Sequence, residues 1–274
     1  MPNYDNSRPV VNANWAKFAV RLARSAGQVL LNYYNAPQKV EHKGAIDLVT
    51  AADRTSEELI YSRIKKRFPE HGVLGEEGSA SKTDSEWLWV IDPLDGTSNY
   101  AHHYPFFCVS IALQHNGVSQ LGVIYEPLRK ELFQAVRGRG VRLNGISGQV
   151  SSTPKLSEAF LSTGFAYDIR ESEVDNLDNF SRLAKTVFAI RRGGSAALDL
   201  AYVACGRFDG FWELKLHPWD TAAGILMVEE AGGRVSRFSG EPFSIIHRDI
   251  IATNGLIHRE MMAVLTKGRM EEDL

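Results

Sequence analysis

Two aspartates leave the end of an apolar run together in Asp92-Pro93-Leu94-Asp95-Gly96-Thr97. The run before them, Trp87-Leu88-Trp89-Val90-Ile91, reads as a buried β-strand. Pro93 fixes one backbone dihedral between the acids, Gly96 permits a sharp turn just after them, and the Thr97 hydroxyl follows at once. Such a turn can hold a hard cation with several oxygens and offer backbone N–H groups to an anion. Two further acidic islands, Gly75-Glu76-Glu77-Gly78 and Trp219-Asp220-Thr221-Ala222-Ala223-Gly224, have the same look. Together the three predict a magnesium-type site that handles a phosphate ester.

Each island alone has a plainer reading. Asp-Pro and Asp-Gly are ordinary turn dipeptides, Glu76 and Glu77 read as solvated loop charges, and Asp220 reads as the acid in the first turn of a helix. Their context carries the argument, because each acid sits beside an apolar strand or helix rather than in a polar run. Oxygen donors with no Cys or His at ligand spacing favour magnesium or manganese over zinc, and the adjacent pair His102-His103 is poorly placed to share one metal. There is no Gly-x4-Gly-Lys-Ser/Thr loop. The Gly138/Gly140 pair lacks the third glycine of a dinucleotide fingerprint, and no Gly-x-Ser-x-Gly elbow occurs.

The elements that must position these residues belong to an ordinary globular chain. Its 274 residues are 44% hydrophobic and 23% charged with a net charge of −2, so no global field recruits nucleic acid or an anionic membrane. Cys108 and Cys205, the only two cysteines, lie in apolar surroundings and read as reduced thiols. Met1-Pro2-Asn3-Tyr4-Asp5 shows neither a basic nor an apolar leader region, and no segment approaches the length of a membrane span; a cytoplasmic protein is expected.

Residues 14–35 carry Trp15, Phe18, Leu22, Ala26, Val29, Leu30 and Tyr33 at helical spacing. Residues 39–50 read as a hairpin or loop, 52–68 as a second helix whose basic run from Arg63 to Arg67 is a solvated face, and 69–86 as a polar loop holding Glu76 and Glu77. Strands are predicted over 87–91, 107–114, 121–125 and 131–136, with Gln114-His115-Asn116-Gly117 turning one hairpin. From Ser151 onward, strand and helix alternate: helices at 176–186, 195–205, 219–231 and 259–266, strands at 189–191, 209–213, 234–238 and 250–253. A meander followed by alternation predicts an α+β part and an α/β part. The expected organisation is an N-terminal unit, residues 1–150, with the main acidic loops, and a C-terminal unit, residues 151–274, supplying Glu213 and Asp220. The two would pack as one layered body.

The chain resembles the inositol monophosphatase family of magnesium-dependent, lithium-sensitive sugar phosphatases. The stretches that carry the resemblance are Asp47-Leu48-Val49-Thr50-Ala51-Ala52-Asp53, Gly75-Glu76-Glu77, Trp89 through Tyr100, Gly194-Ser195-Ala196-Ala197, and Trp219 through Gly224 with Glu229-Glu230-Ala231-Gly232-Gly233. The resemblance implies a layered αβαβα sandwich of two sheets with intervening helices. It implies that Glu76, Asp92 and the Leu94 carbonyl hold one Mg2+ and that Asp92, Asp95 and Asp220 hold a second. A third, weaker ion would lean on Glu76, with Mn2+ as a substitute. It implies that Thr97 orients the attacking water with Asp53 behind it, and that the Gly96 and Thr97 amides cradle the phosphate. Asp95, Ala196, Glu213 and Asp220 would meet the substrate's hydroxyls. Lys43 sits near the Asp47 block at a shortened spacing and is assigned no role.

Ser98-Asn99-Tyr100 after Gly96-Thr97 places the chain nearer the inositol phosphate and fructose bisphosphate branches than the histidinol phosphate or nucleotide branches. Myo-inositol 1-phosphate is the first expected substrate, with fructose 1,6-bisphosphate or a broader set of sugar phosphates as the alternative. Some bacterial relatives also bind the transcription machinery, so a regulatory binding protein is the alternative of another class. A homodimer is expected from the family's habit, with Tyr104, Phe106 and Phe107 either at the interface or in the core.

Overall fold

The structure is a computed structural model that describes residues 11–34, 40–42 and 48–267. Asp47, Lys43 and the first five residues lie outside the described residues. Helix α1 (Ala13–Tyr34) is followed by the paired strands β1 (Val40–His42) and β2 (Leu48–Thr50) and by helix α2 (Ala51–Arg67). Of the residues whose spacing predicts α1, Leu22, Ala26 and Leu30 are buried and Trp15, Phe18, Val29 and Tyr33 half-buried; Ala19 and Ala23 complete the inner face.

The first sheet comprises β3 (Gly72–Gly75), β4 (Ala80–Ser81), β5 (Trp87–Asp95), β6 (Cys108–His115), β7 (Val118–Glu126), β8 (Glu131–Val136), β9 (Val141–Leu143) and β10 (Ile146–Ser147), with the five-residue helix α3 (Thr97–Ala101) after β5. Its order is β10-β9-β8-β7-β6-β5-β3-β4, an antiparallel meander with β3 parallel to β5. Asn116 and Gly117 both take positive φ between β6 and β7, the two-residue turn their sequence predicts. The second sheet has the order β12-β11-β13-β15-β14. It is built from β11 (Phe160–Thr163), β12 (Ala189–Arg191), β13 (Gly210–Leu214), β14 (Arg234–Ser236) and β15 (Asp249–Thr253), with helices α4 (Leu177–Ala184), α5 (Ala196–Ala204), α6 (Pro218–Glu230) and α7 (His258–Thr266).

Burial assigns the layers. Trp89, Ile91, Val109 and Ile111 of the first sheet share a core with Leu22 and Leu30 of α1 and Ile60 and Ile64 of α2. Val90, Ala112 and Ile124, which alternate with them across the pleat, share another core with α5, α6 and Phe211, Ile250 and Ala252 of the second sheet. Leu161, Trp212 and Ile251 on that sheet's far face pack with Leu183 of α4 and Met261 and Leu265 of α7. The result is the αβαβα sandwich the resemblance implies. It also explains why α5 and α6 show little amphipathicity. Thr221 through Val228 are all buried, as a helix between two sheets requires.

Two readings are corrected and one open alternative is decided. The span 69–86 is no simple loop, because β3 and β4 form a hairpin within it and Glu76 sits on its turn. Strand β3 has only Val73 and Leu74 between two glycines, too little pattern to register. Strand β5 runs on through Pro93 to Asp95, since the proline falls in a bulge, where no ladder hydrogen bond is demanded of it. Of the three aromatics considered for an interface, Phe106 and Phe107 belong to the core and only Tyr104, 53% exposed, faces outward.

One buried histidine gives the fold a pH dependence. His258 hydrogen-bonds Ser236 Oγ through Nε2 and Thr253 Oγ1 through Nδ1, each at 2.9 Å. Burial, and to a lesser degree Arg234, push its pKa down to about 4. The unfolded chain, with an ordinary value of 6.5, therefore binds the extra proton between these limits. The contribution of the neutral ring is complete above about pH 6.5 and is lost as the pH falls through about 4. Urea midpoints should fall as the pH is lowered from 7 to 5, and His258→Gln should flatten that slope. An unchanged slope in the variant would assign the acid sensitivity elsewhere.

Candidate active site

The two aspartates of β5 converge because of a bulge. Asp92 pairs with Ser110 and Asp95 with Cys108, so β5 has two residues where β6 has one. Residues three apart on a regular strand face opposite sides; the extra residue brings both acids to one side. The Leu94 amide donates to Asp92 Oδ1 at 3.0 Å, and Thr97 Oγ1 donates to the Leu94 carbonyl at 3.0 Å. Gly96 has φ +95°, and a Cβ there would lie 2.9 Å from the Phe106 carbonyl, so both conformation and space require glycine. Helix α2 braces the turn from outside: Ser56 Oγ donates to the Pro93 carbonyl at 3.1 Å, and Asp53 Oδ2 stands 3.5 Å from Thr97 Oγ1.

The middle layer supplies the opposite wall. Asp95 Oδ2 accepts from Ser195 Oγ at 2.6 Å and from the Ala197 amide at 2.7 Å, at the start of α5. Asp220 Oδ2 accepts from the His217 amide at 2.6 Å at the start of α6, and the His217 ring stacks on Trp219. Glu213 comes from β13 and is buried beside Gly164, where a Cβ would collide with its carboxyl. A cavity of about 520 Å³ lies between these walls. Glu76, Asp92, Leu94, Asp95, Gly96 and Thr97 line it from the first sheet, and Ala196, Glu213 and Asp220 from the other side. Asp53 does not line it but stands next to Thr97, which does. His102 and His103 are exposed and line no part of it.

The electrostatics are those of crowded like charges. Burial first, then Glu76, Asp95, Asp220 and Asp53, push the Asp92 carboxyl well above the usual range. Burial, with Asp95, Glu76 and Glu213, does the same to Asp220 against the pull of the His217 amide. Asp95 rises to about 6 by burial, restrained by its bonds to Ser195 and α5. Glu213 rises to about 8 by burial and Asp95, restrained by Arg192. The neighbours that act most strongly on Asp92 are all like charges.

The donor set is all oxygen, concave and mutually repulsive, which fits a hard divalent cation. Among the described residues no three His, Cys, Asp or Glu side chains are gathered tightly enough to hold an ion as they stand; the acids surround the cavity rather than one point.

Other participants have weaker signatures in the sequence. Ser195 caps α5 and also holds Asp95; a hydroxyl after Gly193-Gly194 and before an apolar run is a capping signal. Asp199, 1% exposed in the first turn of α5, has an Oδ1 with no hydrogen-bond partner, and burial with Glu213 and Asp95 nearby raises its pKa. An acid inside an otherwise apolar helix was the available cue. Arg192, Lys215 and Arg248 line the rim, and Lys215 is held by Asp168 at 2.7 Å and Ser172 at 2.6 Å.

An αβαβα sandwich with acids converging on a bulged strand end defines the class. Residues 11–271 match the Inositol monophosphatase family, and the chain belongs to that family of generally metal-dependent phosphatases. It is 45% identical to the inositol-1-monophosphatase of Synechocystis over 92% of this chain and 88% of the relative. It is 43% identical to the Nus factor SuhB of Escherichia coli K12 over 89% of this chain and 93% of the relative. The solved inositol monophosphatase of Anabaena superposes with a TM-score of 0.85 at 45% identity, covering 93% of this chain and 96% of that one.

Ser195→Ala removes both the cap of α5 and a bond to a buried carboxylate. It should cost about 2 kcal/mol of stability, the scale of a lost cap combined with a charge-assisted hydrogen bond. Urea unfolding at pH 7 checks this; a variant as stable as the parent would show that Asp95 does not depend on the serine.

Proposed function

We propose that this cavity hydrolyses the phosphate monoester of a small polyol, with myo-inositol 1-phosphate first among substrates. The observation that supports it most is the wall of carboxylates, buried Asp92 and Asp95 with half-buried Asp220 and Glu76, whose mutual repulsion a divalent cation would offset. On this reading Glu76, Asp92 and the Leu94 carbonyl hold one Mg2+, and Asp92, Asp95 and Asp220 hold another. A weaker third ion leans on Glu76, and Mn2+ can substitute. Bound there, the ions supply positive charge to the phosphoryl and leaving oxygens.

The chain's own groups do the rest. Thr97 Oγ1, beside the Leu94 carbonyl, orients the attacking water, with Asp53 behind it. The Gly96 and Thr97 amides meet the phosphate. Glu213, Asp220, Asp95 and the backbone at Ala196 meet the hydroxyls of the leaving alcohol. Burial is the main upward push on Glu213 and Asp95 adds to it; a cation offsetting the Asp95 charge would remove that second part. We take residues 1–150 and 151–274 as the two units that contribute the opposite walls. The free thiols Cys108 and Cys205 support a reducing, cytoplasmic setting. Lithium sensitivity and a homodimer belong to the same reading.

The rim cations Arg192, Lys215 and Arg248 favour a second reading, in which a sugar bisphosphate such as fructose 1,6-bisphosphate places its other phosphate among them. The relatives named Nus factor SuhB support a further role with the transcription machinery.

Phosphate release from myo-inositol 1-phosphate should vanish in chelator and return with Mg2+. Asp95→Asn should lower kcat by about 10²-fold, the scale of one lost transition-state contact. Full turnover in chelator would overturn the metal reading.

Substrate choice tests the other wall. Glu213→Gln should lower kcat/KM for myo-inositol 1-phosphate by about tenfold, as loss of a charge-assisted bond predicts, and leave a ring-free phosphate ester nearly untouched. An equal loss on both esters would remove Glu213 from substrate recognition. If adenosine 3′,5′-bisphosphate or histidinol phosphate is the better wild-type substrate, the choice of branch is wrong.

A further inference from the structure

We propose that Glu57 is a positioning residue that holds Glu76 in place for its metal-binding role. The proposal rests on the reading of Glu76 given above. Glu57 lies on α2, is 2% exposed, and inserts its carboxylate into the turn between β3 and β4. Oε2 accepts from the Glu77 amide at 2.8 Å, and Oε1 accepts from the Ser79 amide at 2.8 Å. The Gly75 amide closes the same turn onto the Ser79 carbonyl at 2.8 Å. A Cβ at Gly75 would stand 2.5 Å from Glu57 Oε2, so the carboxylate fills the space that a side chain would need. Glu76 is thus gripped on both sides, at Gly75 and at Glu77, while its own side chain lines the cavity.

A carboxylate is well suited to this place because inward-facing backbone N–H groups form an anion-binding concavity. A carboxamide offers one acceptor and one donor, so it keeps one bond and sets an N–H against the other amide. The geometry of α2 gives the contact a wider role. Asp53 and Glu57 are four residues apart and share a helix face, with Ser56 beside them. Asp53 reaches Thr97, Ser56 reaches the Pro93 carbonyl, and Glu57 reaches the Glu76 turn. One helix therefore sets the spacing between the Glu76 loop and the Asp92–Thr97 loop.

The test is a double-mutant cycle read by calorimetric Mg2+ binding without substrate, using the full chain with Glu57→Gln, Glu76→Gln and both together. Glu57→Gln should weaken Mg2+ binding by about tenfold, the scale lost when a group supporting a metal ligand is removed. The double variant should bind no more weakly than Glu76→Gln alone, since Glu57 acts through Glu76. In turnover, the Glu57→Gln deficit should recover at high Mg2+ with the substrate KM unchanged. Gly75→Ala, which leaves Glu57 in place but crowds its Oε2, should weaken Mg2+ binding similarly and decides the matter if Glu57→Gln does not fold. Wild-type Mg2+ affinity in the folded variants, or losses that simply add in the double variant, would overturn the proposal. Absence of Mg2+ binding by the wild type would instead overturn the metal reading, and this proposal with it.

Discussion

The Asp95 carboxylate is the joint on which the rest depends. It comes from the bulged end of a strand in the first sheet, and its Oδ2 takes the Ser195 hydroxyl and the Ala197 amide at the head of α5. Those partners lie about a hundred residues further along the chain. Burying a carboxylate is unfavourable unless hydrogen bonds replace its water. Two charge-assisted donors and a helix N-terminus do so here. The same bonds lock the first sheet to the middle helical layer, so the wall carrying Asp92 and the wall carrying Glu213 are held at one separation.

The remaining acids are held less completely, and that is where the chemical potential of the site lies. Asp220 has one backbone donor, from His217, and faces Glu76 and Glu213 across the cavity. Asp92 has the Leu94 amide and four like-charged neighbours. Such an arrangement raises the energy of the acidic wall itself and makes it receptive to positive charge. Arg192, Lys215 and Arg248 also line the cavity, and Arg192 offsets part of the crowding at Glu213, while the neighbours acting on Asp92 are like charges. A floor that attracts a divalent cation and a rim that attracts an anion suit a ligand that carries phosphate.

The five-layer packing explains why a site this polar can exist in so apolar an interior. The heads of α5 and α6 and the end of β5 meet at one edge of the middle layer, where helix N–H groups are left over by the geometry of helices. Behind them, α5 and α6 are apolar on every side because both sheets cover them. Helix α2, on the outer face of the first sheet, reaches the same edge with Asp53, Ser56 and Glu57. Polar groups are thus concentrated where four elements end, and the body of each layer remains hydrophobic.

The sequence by itself determined the class of the fold and the acids of the site. Helical spacing in α1, the apolar run that becomes β5, and the strand–helix alternation after Ser151 are local patterns, and β5 is buried from Trp89 to Asp95. The acids of the three islands were legible because each adjoins an apolar element, and Glu76, Asp92, Asp95 and Asp220 line one cavity, whereas Glu77 does not. Contacts between distant segments were not legible. Strand β3 is too short to carry a pattern, so the hairpin under Glu76 was hidden. The continuation of β5 past Pro93 depends on a bulge that only its pairing with β6 defines. Glu57 reads in sequence as one more charge on a helix, and Asp199 as an ordinary first-turn acid. Tertiary structure alone decided that one grips a turn twenty residues away and that the other is buried beside Glu213. The reason is physical: periodicity reports which face of an element is covered, whereas the partner of a buried polar group is set by which chain ends the packing brings together.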